Sequence, residues 1–283
     1  MHPRRVQTVL RKAAREYPVV TVTGPRQSGK TTLCKGTFKK LAHVSLEVLD
    51  TRQFAHVDPR GFLVEHRKGA IFDEVQHVPE LLSYLQDEVD RNPKPGRFVL
   101  TGSEHLTISA RVSQSLAGRT AVLHLLPLSL DEIAGFPTQR ADLFTTMWTG
   151  GYPRIHDRGL DPRRWLENYT TTYLQRDVRQ LLDIGNLDQF TSFLRMCAAN
   201  TAQELNLSRL GSDVGVSHNT ARSWLSVLEA SFLCFRMPAW VPNIRKQLVK
   251  APKLHFLDIG LCCQLLGLRQ PQELAHHPLR GAL

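Results

Sequence analysis

Cysteine is scarce in this chain and falls into no pattern. Cys34, Cys197, Cys234, Cys262 and Cys263 are odd in number and make no C-x-x-C pair. That gives no support to a disulfide framework or a zinc ribbon, and it fits a reducing cytoplasm. The histidines, His276-His277 included, stand at no zinc-ligand spacing from them. No apolar run approaches the length of a membrane span. The opening residues Met1-His2-Pro3-Arg4-Arg5 lead into VQTVLRKAAREY rather than an unbroken apolar core, so neither export nor insertion is expected. Repeats and low-complexity tracts are missing too. Acidic residues are the minority charge: 26 Asp plus Glu stand against 36 Lys plus Arg, a net charge of +10. Such a surplus suits polyanionic partners, whether nucleic acid, acidic protein or anionic membrane, without choosing among them.

What is present describes a folded chain. Its 283 residues, 42% hydrophobic and 22% charged, leave room for two ordinary cores. The most informative stretch is VVTVTGPRQSGKTTL, residues 19 to 33. Gly24-Pro25-Arg26-Gln27-Ser28-Gly29-Lys30-Thr31 fits G-x-x-x-x-G-K-[ST] at every specified position. A β-branched run precedes it and a helical pattern with Leu33 and Phe38 on one side follows, the strand, loop, helix order of a phosphate cradle. Glycines let successive backbone amides face phosphate oxygens at the positive end of the helix. Lys30 is expected to reach the β- and γ-phosphates of ATP and the Thr31 hydroxyl to bind Mg²⁺. The plainer alternative is a glycine turn with a solvated lysine.

Hydrolysis needs a carboxylate for the metal and a residue to handle water. Ala70-Ile71-Phe72 reads as a short buried strand, with Asp73 and Glu74 at its end, where ligand sites of open α/β sheets lie. Asp73 is the metal candidate and Glu74 the water-activating one; two solvated acids is the alternative. Neighbours on a strand point to opposite faces, so both serve only if the chain turns there, and Val75 to Pro79 suits a turn ahead of a helix with Pro79 in its first turn. Phe98-Val99-Leu100 is a further strand with Thr101, Gly102 and Ser103 at its end; Ser103 is the first choice for a γ-phosphate sensor and Thr101 the second, against a simple turn of small residues. Arg119 precedes another strand and is a candidate for stabilising developing charge from a subunit edge. Ser129 and Glu132 form a capping box.

The segments GPRQSGKTTL, FDEVQHVPELL, FVLTGSE, SLAGRT, PLSLDEI, GGYPRI, NYTTTYLQRDVRQL and KLHFLDIGLCCQLLG occur in this order. Together they resemble prokaryotic AAA+-type P-loop ATPases, archaeal-type relatives among them, whose P-loop domain precedes an uncharacterised C-terminal domain. The resemblance runs from about Arg4 to Leu268. It implies an α/β fold, an AAA+-like parallel sheet flanked by helices. It also implies Gly24 to Thr32 as the nucleotide loop, Asp73 and Glu74 as the metal and water-activating acids, Ser103 near the first sensor and Arg119 where an arginine finger often stands. No second-sensor arginine has a clear counterpart. Such relatives continue beyond HHPLRGAL, so a short or truncated member is expected.

Farther on, Asp161 and Pro162 open a helical region with Trp165, Tyr169 and Tyr173 at core spacing. LNLSRLGSDVGVSHNTARSWLSVLEASFLCFRM then has the cadence of a helix-turn-helix leading into a wing. Ser208 and Ser217 are the expected caps and Gly215 the turn. Ala221, Trp224, Leu225 and Leu228 belong to the buried side, leaving Asn219 and Arg222 outward. With Arg245 and Lys246 nearby, double-stranded DNA is the expected partner; a packing module or lid is the alternative. The domains expected are an AAA+-like ATP-binding domain at 1–136, a helical linker or lid at 137–202, a winged helix-turn-helix-like domain at 203–253 and the start of a C-terminal domain at 254–283. The function expected is Mg²⁺-dependent ATP hydrolysis by a homo-oligomer or single chain away from membranes, coupled to DNA. The rival is a nucleotide-gated DNA-binding switch with little hydrolysis; a small-molecule kinase is disfavoured because no acceptor pocket can be read.

Overall fold

The computed structural model describes residues 3–103, 115–136, 142–173, 187–242 and 250–283. The chain divides into two compact units, Met1–Leu128 and Ser129–Leu283.

The first unit is a three-layer α/β arrangement. Helix α1 (Val6–Glu16) leads into β1 (Val19–Thr23), followed by α2 (Lys30–Thr37), β2 (Ala42–Ser45), α3 (Leu49–Val57), α4 (Pro59–Glu65), β3 (Ala70–Asp73), a 3₁₀ turn at Val75–His77, α5 (Leu81–Arg91), β4 (Phe98–Gly102) and β5 (Thr120–His124). The five strands are parallel in the order β2-β3-β4-β1-β5. Because side chains alternate along a strand, the sheet feeds two apolar layers. Val20, Val22, Ile71 and Val99 pack under α1 and α2 with Leu10, Leu33 and Cys34. Val19, Phe72, Phe98 and Leu100 pack with Phe62, Leu81 and Leu85 on the opposite face. Parallel strands covered on both faces are buried along their whole length, and every position of VVTVT and AIFD is buried, the threonines included. Pro79 falls in the turn before α5 rather than in its first turn, since that helix begins at Leu81.

The second unit is mainly helical: α6 (Leu130–Ile133), α7 (Leu143–Thr149), α8 (Pro153–Arg158), α9 (Pro162–Tyr173), α10 (Leu187–Ala199), α11 (Leu207–Val214), α12 (His218–Ala230), the antiparallel pair β6 (Cys234–Met237) and β7 (Lys253–Phe256), α13 (Ile259–Leu265) and α14 (Pro271–His276). One core joins Tyr152, Leu166, Phe190, Phe193, Trp224, Leu254 and Leu261. The Ser129–Glu132 capping box forms. Trp165 and Tyr169 stack on one another and lean on Tyr152, the packing role their spacing predicts. Helices α11 and α12 meet at Gly215, in the left-handed region at φ 74°. The cap of α11 is Asn206, which accepts from Arg209 N at 2.9 Å, and not Ser208: the helix starts two residues earlier than its sequence pattern suggests. Ser217 caps α12 as expected. The free side of β7 is met by residues 202–205, with Leu254 N donating to Gln203 O at 3.1 Å.

Candidate nucleotide site

Parallel topology brings the C-terminal ends of β1, β3 and β4 side by side, and the polar residues collect there. The loop after β1 is shaped by two glycines. Gly24 has φ 152°, and a Cβ on it would stand 2.1 Å from the Leu125 carbonyl oxygen. Gly29, at φ 92°, starts α2 with no side chain capping that helix. The amides of the first helical turn therefore lack intrahelical acceptors, and the first to find one is Leu33, on Gly29 O at 2.9 Å. Such a helix end, with backbone close enough for glycine alone, fits an anionic phosphate. Gln27, at φ 64°, completes the wrap, while Pro25 and Ser28 are buried, Arg26 is half-buried and Thr32 exposed.

Lys30 is buried, and its Nζ donates to the Gly24 and Pro25 carbonyls at 3.0 and 2.9 Å. Burial lowers its pKa from the ordinary lysine value, while the negative charges of Glu74 and Asp73 pull the other way. Thr31 Oγ1 donates to both Asp73 oxygens, at 2.9 and 3.0 Å. Thr101 Oγ1 also donates to Asp73, and His43 Nε2 lies 3.2 Å from its Oδ2. A hydroxyl and a carboxylate side by side form the hard oxygen set that suits Mg²⁺. Cys34, one turn on, is no nucleophile: burial pushes its thiol up to about 12.

Glu74 answers the geometric condition set by adjacent acids. It has φ 57° and ψ 53°, a left-handed conformation uncommon for a residue with a Cβ, so the strand stops at Asp73 and Glu74 turns to the same pocket. Its Oε2 accepts from Ser103 N at 3.3 Å, from Ser103 Oγ at 3.2 Å and from Gln76 Nε2. Gln76 Nε2 reaches Ser103 Oγ as well, at 3.3 Å, and Glu74 N donates to Thr101 Oγ1 at 3.4 Å.

Lys30, Thr31, Asp73, Glu74, Thr101 and Ser103 thus come together. Arg119 does not join them. It precedes β5, which pairs in register with β1 from Val19↔Thr120 to Thr23↔His124, so it lies at the sheet end opposite the loop, about 15 Å away at strand rise. There it forks onto Asp90, with Nη2 to Oδ2 at 2.8 Å. Two members of the cluster escaped the sequence reading. His43 sits on the short edge strand β2, which carries no strong strand pattern, and Gln76 looked like a turn residue; neither has a motif to mark it.

In the second unit Asn219 and Arg222 are exposed on α12, while Ala221, Trp224, Leu225 and Leu228 are buried. Arg245 and Lys246 lie outside the described residues. Among the described residues no cluster of His, Cys, Asp and Glu is arranged for a metal, and no helix is long and apolar enough to cross a membrane.

Residues 16–134 match the family model described as an AAA domain, and residues 140–272 match one described as a domain of unknown function. Uncharacterized proteins of Mycobacterium tuberculosis and Mycobacterium bovis are each 30% identical over 277 residues, covering 96% of this chain. The chain spans 62% of the length of each of those relatives. Among solved structures, a Walker-type ATPase of Pyrococcus abyssi is similar with a TM-score of 0.61 at 15% identity, covering 94% of this chain and 96% of its own; at that identity the likeness concerns the fold.

Proposed function

We propose that the chain, whose residues 16–134 match an AAA domain and 140–272 a domain of unknown function, binds ATP with Mg²⁺ and hydrolyses the γ-phosphate. Lys30 and the amides of the glycine loop would hold the phosphates, and Thr31 and Asp73 would hold the metal. Bound there, Mg²⁺ supplies positive charge that neutralises the phosphate oxygens. Glu74 orients the attacking water and draws its proton, with Ser103 and Thr101 fixing the two acids. The observation that carries this reading is the left-handed turn at Glu74, which sets a second carboxylate beside Asp73 within the electrostatic reach of Lys30. The test is Mg-ATP turnover by the wild type, Lys30→Ala and Glu74→Gln. Both variants are expected to lose nearly all activity, and equal turnover in all three would overturn the reading.

The second reading is a switch that binds ATP and hydrolyses it little. It is favoured by one feature: Glu74 Oε2 is already engaged by Ser103 and Gln76. Under it, Glu74→Gln leaves nucleotide-dependent partner binding unchanged and turnover starts low. In either reading the second unit is proposed to pass nucleotide state to double-stranded DNA in the cytoplasm, through a winged-helix-like segment at 203–253 with Asn219, Arg222, Arg245 and Lys246. Capping of α11 and α12 and the exposure of Asn219 and Arg222 support that segment. An arginine-finger role for Arg119 would need a neighbouring copy, because its own pocket is out of reach.

A further inference from the structure

The positive charge of the chain is not spread evenly. Between Arg4 and Ser45 there are ten Lys and Arg residues and one acid, Glu16, a net charge of +9 against +10 for the whole chain. Only Lys30 among these cations is buried in the nucleotide site. Helices α1 and α2 lie on the same face of the sheet, their apolar sides joined through Leu10, Ala13, Leu33 and Cys34 and their polar sides through Gln7 Nε2 and Thr37 Oγ1 at 3.2 Å. Both run toward the N-terminal ends of the strands they precede. Arg11, Lys12 and Arg15 on α1, Lys35 on α2, and Lys39 and Lys40 just after it are all exposed. None of these six makes an ion pair among the described residues, whereas the acids of α5 are taken up by Arg91, Arg97 and Arg119.

We infer that the outward side of the α1–α2 pair is a second interaction surface, one that takes the phosphate backbone of nucleic acid without reading its sequence. Three features favour that occupant. Unpaired Lys and Arg in this density release counterions from a polyanion. Four of the six cations sit on the helix pair and Lys39 and Lys40 directly follow α2, so the backbone that carries them is already ordered before binding. An anionic membrane would require exposed apolar side chains beside the charge, but the apolar sides of both helices are turned into the core and only Val9 stands half exposed. This surface goes beyond the proposed α12 contact: it belongs to the other unit and needs neither ATP nor hydrolysis.

The test is the affinity of the full chain for a labelled DNA duplex of arbitrary sequence across a salt series. The wild type is compared with the quadruple variant Arg11→Gln, Arg15→Gln, Lys39→Gln, Lys40→Gln, with Arg222→Ala and with the charge-keeping pair Arg11→Lys, Arg15→Lys. The quadruple variant is expected to bind at least tenfold more weakly at moderate salt and to lose about 3–4 from the slope of log K against log salt, close to 0.9 per phosphate contact. Its melting temperature and basal turnover should match the wild type, and the lysine pair should bind as the wild type does. Unchanged affinity and slope in the quadruple variant would overturn the inference. So would loss of binding in the lysine pair, or binding of the wild type to phosphatidylserine vesicles with none to duplex.

Discussion

The two units house buried charge differently. The first buries it in company. Asp73 is ringed by side-chain donors from Thr31, Thr101 and His43, and Arg97, with 4% of its side chain exposed, is held by Glu88 and the Arg67 carbonyl. The second buries a carboxylate among main-chain groups alone: Asp258 accepts from Gly151 N and Leu261 N, each at 2.7 Å. Hydroxyls and an imidazole can rotate toward another partner, whereas amides of a turn and a helix end cannot. Asp73 is therefore built to exchange ligands, and Asp258 is built to fasten α13 to the turn between α7 and α8. Burial pushes the Asp258 carboxyl up to about 6, with the amides offsetting part of that.

The largest expected effect tests the company around Arg97. Replacing Glu88 by Ala leaves a buried guanidinium whose Nη1 already has no hydrogen-bond partner. A stranded buried charge costs about 3–5 kcal/mol, which chemical denaturation of the chain should register as an early loss of the first unit. A change below about 1 kcal/mol would mean that water reaches Arg97 and that the contrast between the units is overstated.

The same isosteric change at the two aspartates sharpens the comparison next. Asp73→Asn is expected to cut Mg-ATP turnover by about 10²–10³, the scale of losing one electrostatic stabiliser at a reacting phosphate, while the melting temperature moves little. Asp258→Asn should leave turnover alone and change stability instead. The folded pKa of Asp258 lies above the ordinary value of 3.8. Its contribution is thus fully present below about 3.8 and is lost as pH rises through about 6. A shift of that size is worth about 3 kcal/mol. His156, which bonds the Gly150 carbonyl at 2.7 Å, opposes it: burial lowers its pKa, so its contribution is present above the ordinary histidine value and lost on acidification. The difference between wild type and Asp258→Asn removes the histidine from the measurement. Between pH 7.5 and 4 that difference should move in favour of the wild type, and a flat difference would show that the amides hold the carboxylate ionised.

These contrasts also mark what the sequence made legible. Phosphate chemistry demands particular residue types at fixed spacing, so the loop from Gly24 to Thr31 and the strand-end acids could be read directly, and the turn that Glu74 needed was deducible from strand alternation. His43 reaches Asp73 only through the order of a parallel sheet, which no local pattern reveals, and Gln76 reaches Glu74 from two residues on, within a turn that no motif marks. The distance of Arg119 from the loop of its own chain was readable in principle. A residue before a parallel strand and a loop after one lie at opposite ends of the sheet. Asp258 in HFLDIGLCC has the form of an ordinary helix cap, and its depth depends on Gly150 and Gly151 approaching from afar in sequence. The unequal charge of the chain was countable from the start. Its meaning waited on knowing that α1 and α2 are neighbours.

The smallest effect is expected at the ion pair Arg236–Glu229 of the second unit, and it closes the comparison with Arg97. Both nitrogens of the fork are at 2.8 Å from the carboxylate. Yet 47% of the Arg236 side chain is exposed against 4% for Arg97, so water screens the attraction and solvates whichever partner is left. Glu229→Ala should therefore cost less than about 1 kcal/mol, read as a shift of the denaturation midpoint for the second unit. If it cost as much as Glu88→Ala, fork geometry rather than burial would govern the pairs of this protein, and the division between the two units would have to be redrawn on hydrogen-bond direction instead of solvent access.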